Sequence, residues 1–549
     1  MTKQNATVNP VVLRRGVHIG SGNAESDDEF LFDCFVNHPG VERALSLENA
    51  GMVLAGRTGS GKTAILRHVE ERAHQCTSLD PLDMALSYVA NSDALRFLQA
   101  IGADLDLLFQ VLWKHVLSLE FIRLRWEVES SEKSRSIFQK FVDFCRRDER
   151  RKRAIAYLEN WQGKFWITMD QNVKELTETV EKKLHAEVGA ELAKFKAGGQ
   201  YDKRLSQERK SEIIARTRKI ISEDQLAELH GVVDVLANVS ADDTRSYYLL
   251  IDRLDERWVD DSIRFRMIKA LLQSLRSFRK IRSLKILIAL RSDILERVVQ
   301  ETSDIAFQRE KFEDYRIDMR WSKVDLKELV ETRLNKLFRR QYTTHPIGFA
   351  DVFPAKIGQR ETFEWMLERT LLRPRDIISF VNECIDAADG QNLISLNALR
   401  RAEIEYSRKR RDALLQEWRS AFPTLDKLLS AIIKDRQSSA ALADLSEENG
   451  TIDEFCLTVC SEHQSNFDPL HHACQVRING KGEAFRVVQE AVAVLYRTGV
   501  VGLKLQPQDR FLYSHLDQPF ISADLLRPET RIRLHPMLHA SYNLQDAQG

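Results

Sequence analysis

The chain has 549 residues, enough for three or four domains at about 100–200 residues each. It is 43% hydrophobic and 30% charged, with 81 basic and 81 acidic side chains, so global charge neither favours nor opposes a polyanionic partner and any basic site must be local. No apolar run approaches the roughly 18 residues of a membrane span, Met1 to Asn9 lacks the apolar stretch of a leader, and seven scattered cysteines without a C-x-x-C pair fit reduced thiols. A cytoplasmic globular protein with no membrane association is expected.

Residues 1–28 read as a flexible tail and 29–50 as short helical pieces. Residues 52–55, Met-Val-Leu-Ala, are an apolar run too short for a helix that opens directly into a glycine-rich stretch, the pattern of a buried parallel strand feeding a helix. A second strand is expected at 84–90. From about 95 to 240 the period turns helical, through Phe97, Ile101, Leu105 and Leu108 and later Val173, Leu176, Val180 and Leu184. The second stripe stops at Ala197-Gly198-Gly199 and resumes at Ile213 and Ile214, so a helical hairpin is expected there. The runs 247–251 and 284–290 read as buried strands ending in Asp252 and Arg291, and Arg316 to Trp321 as a shorter one. Residues 325–420 read as a helical lid and 421–549 as a C-terminal domain. Within that domain, 482–516 reads as a helix, a stop at Gly499 and a β-hairpin turning at 506–509, a winged-helix-like pattern. The expected fold is therefore α/β: a P-loop-type parallel sheet over 29–324 with a large helical insertion, then the lid and the winged-helix-like domain.

Residues 56–63 read Gly-Arg-Thr-Gly-Ser-Gly-Lys-Thr, a full match to G-x-x-x-x-G-K-[ST]. Triphosphate oxygens must be met by several backbone N–H groups at once, which requires glycine at 56, 59 and 61 among Arg57, Thr58 and Ser60. Lys62 supplies a point charge for the β- and γ-phosphates, Thr63 a hydroxyl for Mg²⁺, and the helix they open directs its positive dipole end at the anion. The motif alone can arise by chance, but here a strand precedes it and an amphipathic helix follows.

The strand 247–251 delivers Asp252 to the carboxyl edge of the sheet, where a carboxylate can orient the magnesium shell. Asp255 and Glu256 are both candidates to position or deprotonate the attacking water; equally, either can simply cap the next helix. Arg291, at the end of the next strand, is a candidate γ-phosphate sensor. In Leu372-Arg373-Pro374-Arg375-Asp376, proline marks a helix start, and Arg375, with Arg373 as runner-up, can reach the phosphates.

Other patterns were weighed against plainer readings. Lys196-Ala197-Gly198-Gly199-Gln200 lacks the serine of L-S-G-G-Q and reads as a helix-stopping turn, and Asn335-Lys336-Leu337-Phe338 fails N-K-x-D, which favours ATP over GTP. Cys456, Cys460 and His463, followed by His471, His472 and Cys474, match no common zinc spacing and read as core and surface residues. Two basic runs, 146–153 and 408–411, can contact duplex DNA or can be solvated helix faces, and Lys504 and Arg510 of the hairpin are further candidates.

The nucleotide motifs resemble those of AAA-plus and STAND ATPases, the Asp252-to-Glu256 stretch being similar to D-G-x-D-E with Arg253 in place of glycine. Taken with Leu112 to Val116, Arg291-Ser292-Asp293 and Leu495 to Val500, the chain resembles bacterial P-loop ATPases distantly similar to origin-recognition ATPases, often of mobile or defence-related gene neighbourhoods. That resemblance implies an ATP- and Mg²⁺-dependent switch that hydrolyses ATP and acts with duplex DNA, a protein partner or further copies of itself. The alternative is a DNA-binding protein whose nucleotide is mainly structural. A small-molecule kinase lacks any recognisable acceptor site.

Overall fold

The computed structural model describes residues 11–81, 92–145, 152–161, 164–165, 169–198, 206–220, 223–241, 243–256, 261–301, 312–342, 346–419, 421–432, 439–446, 449–462 and 468–544. The chain forms two compact units, one of Met1–Val36, Thr58–Gly61 and Arg320–Gly549, the other of Asn37–Arg57 and Lys62–Met319. Among the described residues no helix is long and apolar enough to cross a membrane.

The second unit is built on a five-stranded sheet of β1 (Val53–Gly56), β2 (Gln75–Leu79), β3 (Tyr247–Ile251), β4 (Leu284–Arg291) and β5 (Arg316–Asp318), in the order β2-β3-β4-β1-β5. Every neighbouring pair is parallel. β1 and β3 are buried throughout and β4 everywhere but Arg291, which is why these strands appear as unbroken apolar runs. β2 escaped the sequence reading because Gln-Cys-Thr-Ser-Leu is neither apolar nor alternating, as suits an edge strand with one neighbour. The strand expected at 84–90 lies outside the described residues. β5 is shorter than expected, and the backbone contact continues only to Met319 N, which donates to Ala55 O at 2.8 Å. Lys285, fully buried near the amino end of β4, donates to the carbonyls of Arg43, Ser46 and Asn49, tying the preceding helix Pro39–Leu45 and its exit loop to the sheet.

Between β2 and β3 lie the helices Asp93–Ala100, Asp106–Trp126, Ser131–Cys145, Lys152–Trp161, Met169–Gly198, Gln207–Ile220 and Glu223–Val239. This is the expected insertion. Asp106–Trp126 is apolar around most of its circumference and is buried accordingly, with the Trp113 indole donating to Met267 O at 2.9 Å. The helix Met169–Gly198 ends at the first of the expected glycines, and the turn itself, including Gly199 and Gln200, lies outside the described residues.

The first unit has one continuous core running from Val11 to Leu544. The expected boundary between lid and C-terminal domain at 420/421 is therefore not a division of the core. Residues 11–28 are also not a loose tail. Val11, Leu13 and Ile19 are fully buried, Leu13 exchanges backbone hydrogen bonds with Gln391 and Gly390, and Arg333 pairs with the buried Asp27. The segment lacks periodicity because loop backbone, rather than a helix face, holds it in place. The stretch read as a helical lid contains the helices Lys323–Tyr342, Pro374–Ala387 and Leu396–Trp418, with a small hairpin of β6 (Lys356–Ile357) and β7 (Arg360–Glu361). Beyond it, β8 (Ser439–Ala441), β9 (Val501–Lys504) and β10 (Arg531–Leu534) form an antiparallel sheet with β10 central. The helix Ala484–Thr498 stops at Gly499, whose φ of 85° caps it as expected. Leu503 and Leu512 exchange backbone hydrogen bonds around the 506–509 turn.

At the amino end of Pro374–Ala387, the fully buried Asp376 carboxylate meets Arg373 Nε and Nη2 at 3.0 and 3.1 Å and Arg410 Nη1 at 2.8 Å. Burial would push this carboxyl up, but the two guanidinium groups hold it well below the usual carboxylate range. Asp376→Asn is expected to cost about 3–5 kcal/mol in urea unfolding at pH 7, because Arg373 and Arg410 lose the buried carboxylate they share. The contribution of Asp376 should be present above the free-aspartate pKa of about 3.9 and be lost as pH falls below it, so the variant should show a shallower acid dependence than the parent.

Candidate functional site

Because the sheet is parallel, β1, β3 and β4 deliver Gly56, Asp252 and Arg291 to the same edge. Register places Ile251 beside Ile288 and Ile288 beside Val53, so the three chains end within a few residues of one another. β1 runs into the loop 56–63, and the helix Lys62–Arg72 begins at its last lysine. Gly59 and Gly61 have φ of 76° and 94°, conformations that a side chain disfavours.

In the second unit, Lys62 Nζ donates to the Gly56 and Arg57 carbonyls at 3.1 and 3.0 Å. The Thr63 hydroxyl hydrogen-bonds the Asp252 carboxylate. Burial raises the Asp252 pKa, partly offset by the Arg253 N–H, by Thr63 and by Lys62, while Asp255 adds repulsion. A divalent cation bound there would favour the ionised carboxylate, and Thr63 beside Asp252 is a donor set of the hard oxygen type that Mg²⁺ takes.

Arg253 occupies the left-handed region, φ 58°, where the resembled motif carries glycine. Such a conformation costs roughly 1–2 kcal/mol for a residue with a Cβ. The contacts that hold it include two close ones. Its N–H donates to Asp252 Oδ1 at 2.8 Å, and its guanidinium pairs with Asp80 at 3.2 Å. Asp80, just past β2, was missed in the sequence because nothing local marks it as a partner for a residue 173 positions away.

The structure separates the two candidate water-positioning acids. Asp255 is half-buried, with Oδ2 3.9 Å from Arg291 Nε, whereas Glu256 is exposed and 3.8 Å from Arg253. Arg291 is also held by Asp293, at 3.0 and 2.9 Å, a fork two residues away that sequence reading did not assign.

Within the first unit, residues 58–61 pack against the lid. Arg373 Nη1 donates to Thr58 O at 2.7 Å, and the Trp321 indole donates to Ser60 O at 2.8 Å. Arg375 lies directly over Gly59, its N–H 3.4 Å from Gly59 O and its Nε donating to Gly22 O at 3.1 Å. Burial, then Arg373 and Arg410, hold the Arg375 guanidinium below its ordinary pKa, and it forms no ion pair among the described residues. Arg373, by contrast, is neutralised by Asp376 and Glu417. The hydroxyls of Thr58 and Ser60 are buried without a hydrogen-bond partner among the described residues. Unsatisfied buried donors in a loop of left-handed glycines suit a polyanion.

The other sequence candidates fare differently. In the run 408–411 every side chain meets an acid: Arg408 and Lys409 meet Glu405, Arg410 meets Asp376, and Arg411 meets Asp412. Residues 146–151 of the other run, and His463, lie outside the described residues. Arg510 pairs with Asp517, and Lys504 is half-buried on β9. Cys456 and Cys474 are buried and hydrogen-bond each other, and among the described residues no group of three or more metal-ligating side chains occurs.

Gly59→Ala should destabilise the chain by more than the ~1–2 kcal/mol of a left-handed alanine, since its Cβ would sit 2.7 Å from Arg375 Cβ. Urea unfolding measures this; a variant as stable as the parent would show that Arg375 does not press on the loop.

Residues 324–415 match a family described as the FunZ-associated C-terminal helical domain, a range that includes Arg373, Arg375 and Arg410. Over 193 residues the chain is 25% identical to the "Putative transposon gamma-delta 80.3 kDa protein" of Escherichia coli (strain K12), a match spanning 34% of this chain and 27% of that protein. The similarity thus spans about a quarter of that relative's length. No solved structure matches.

Proposed function

We propose that this chain is an ATP-dependent molecular switch of the AAA-plus or STAND type that binds ATP with Mg²⁺ and hydrolyses it. The observation that carries the reading is the Thr63–Asp252 hydrogen bond at the end of a strand–glycine loop–helix unit, with Lys62 beside it in the chain. Lys62 would meet the β- and γ-phosphates, and Thr63 and Asp252 would hold the metal. Asp255 is favoured over Glu256 as the water-positioning acid because it is half-buried near Asp252 and Arg291, while Glu256 faces solvent. Arg291 would sense the γ-phosphate. Arg375 is favoured over Arg373 as the lid arginine because it lies on Gly59 and forms no ion pair among the described residues, so an anion would relieve repulsion from Arg373 and Arg410.

A DNA-associated role draws support from two sides. The C-terminal order of helices and the sheet β8-β10-β9, with a hairpin after β9, supports a winged-helix reading. The partial likeness to a transposon protein supports a setting in mobile DNA. The second reading, a DNA-binding protein with structural nucleotide, rests on the same C-terminal observation.

Steady-state ATP hydrolysis with and without duplex DNA tests the proposal. Asp255→Asn should lower turnover by about 10²-fold or more while leaving ATP binding intact, and Glu256→Gln should stay within a few-fold of the parent. Lys62→Ala should abolish ATP binding. Tight ATP binding without turnover, with or without DNA, would sink the hydrolytic switch and favour the structural-nucleotide reading.

A further inference from the structure

The first unit holds a cavity of about 280 Å³, at the small end of the range for ligand sites, walled by residues 360–372 on one side and 513–516 and 533–536 on the other. Its wall is cationic: Lys323, Arg360, Arg369 and Arg533 stand against a single carboxylate, Glu368. Three of these cations have an acid of their own. Lys323 pairs with Glu364, Arg360 with Glu368 at 2.6 Å, and Arg369 with Glu403 at 2.5 Å. Arg533 is half-buried and has no carboxylate partner among the described residues; its guanidinium lies 5.7 Å from the centre of the Phe511 ring.

Beside Arg533 the wall is aromatic. The rings of Tyr513, His515 and His535 lie 5.2–5.8 Å apart, centroid to centroid. Tyr513 is seated on bare backbone, since a Cβ on Gly502 would come within 2.5 Å of its ring. Its position is therefore set by the absence of a side chain on β9. The remaining wall is mostly apolar, from Leu367, Leu372, Leu516 and Pro536, with Thr370 the polar exception.

The geometry points to a second ligand site here, for a phosphomonoester that carries a flat ring and has the size of a nucleoside monophosphate. A guanidinium without a counter-ion is matched by a phosphate through paired N–H bonds. Aromatic rings held in place beside it offer the stacking face that a base requires. The site is distinct from the loop 56–63 and does not depend on the ATPase reading. Its wall does adjoin that loop's support: Leu372, strained at φ 49°, immediately precedes Arg373, which bonds Thr58 O.

The test uses the full chain carrying Lys62→Ala, so that the loop cannot supply the signal. AMP, GMP, CMP and UMP are titrated by calorimetry, with ribose 5-phosphate as the ring-free control. At least one monophosphate should bind at a single site and more tightly than ribose 5-phosphate. Arg533→Ala should weaken it about tenfold or more, Arg533→Lys by less, and Gly502→Ala should weaken it by displacing Tyr513, with the unfolding midpoint of the Arg533 variants unchanged. The proposal is overturned if none of the four binds, if ribose 5-phosphate binds as well as they do, or if Arg533→Ala leaves the affinity within about twofold.

Discussion

The Asp376 carboxylate is the point on which the first unit's geometry turns. It sits in a fully buried position and is kept charged there by Arg373 and Arg410, one from its own helix start and one from the helix Leu396–Trp418. A buried ion is tolerated only when its hydrogen-bonding capacity is filled, and here four interactions fill it, Leu371 N–H being the fourth. Arg373, oriented by that carboxylate, is thereby free to give its remaining Nη1 to Thr58 O. Arg375, two residues on and in no ion pair among the described residues, lies on Gly59. A single buried charge thus sets the orientation of Arg373, the first of two neighbouring arginines.

Local strain gathers around the same features. Among the described non-glycine residues, Arg253 and Leu372 are two of four with positive φ, and each adjoins a residue assigned to the candidate nucleotide site or its support. Such conformations persist where surrounding contacts over-determine them. For Arg253 these are the Asp252 carboxylate and Asp80; for Leu372 they include the Thr370 hydroxyl, which accepts from its N–H at 3.1 Å. The desolvated Asp252 adds a further electrostatic cost, one that a cation would remove.

Most of the sheet was legible because parallel central strands are apolar on both faces and therefore stand out as short runs without helical period. Tyr247 to Ile251 and Leu284 to Leu290 were read to within a residue of their observed ends. β2 was not legible, since an edge strand needs no such run, and neither was the burial of Val11, Leu13 and Ile19, in a segment whose backbone pairs with Gln391 and Gly390 far along the chain. The run 408–411, read as a DNA contact or a solvated helix face, is a set of ion pairs with Glu405 and Asp412 of its own helix and with Glu383 and Asp376 of the helix Pro374–Ala387.

By itself the sequence determined the strand–loop–helix at 52–72, the carboxylate after β3, the helical insertion and the glycine stop at 499, because each depends on residues adjacent in the chain and on backbone conformations that few side chains allow. Only the tertiary structure showed that Asp255 is half-buried near Arg291 while Glu256 is exposed, that Arg373 pairs with Asp376 and Glu417 while Arg375 lies on Gly59, and that Arg291 stands in the Asp293 fork. Those distinctions depend on burial and on which opposite charge lies within a few ångströms, and both are set by elements tens to hundreds of residues apart.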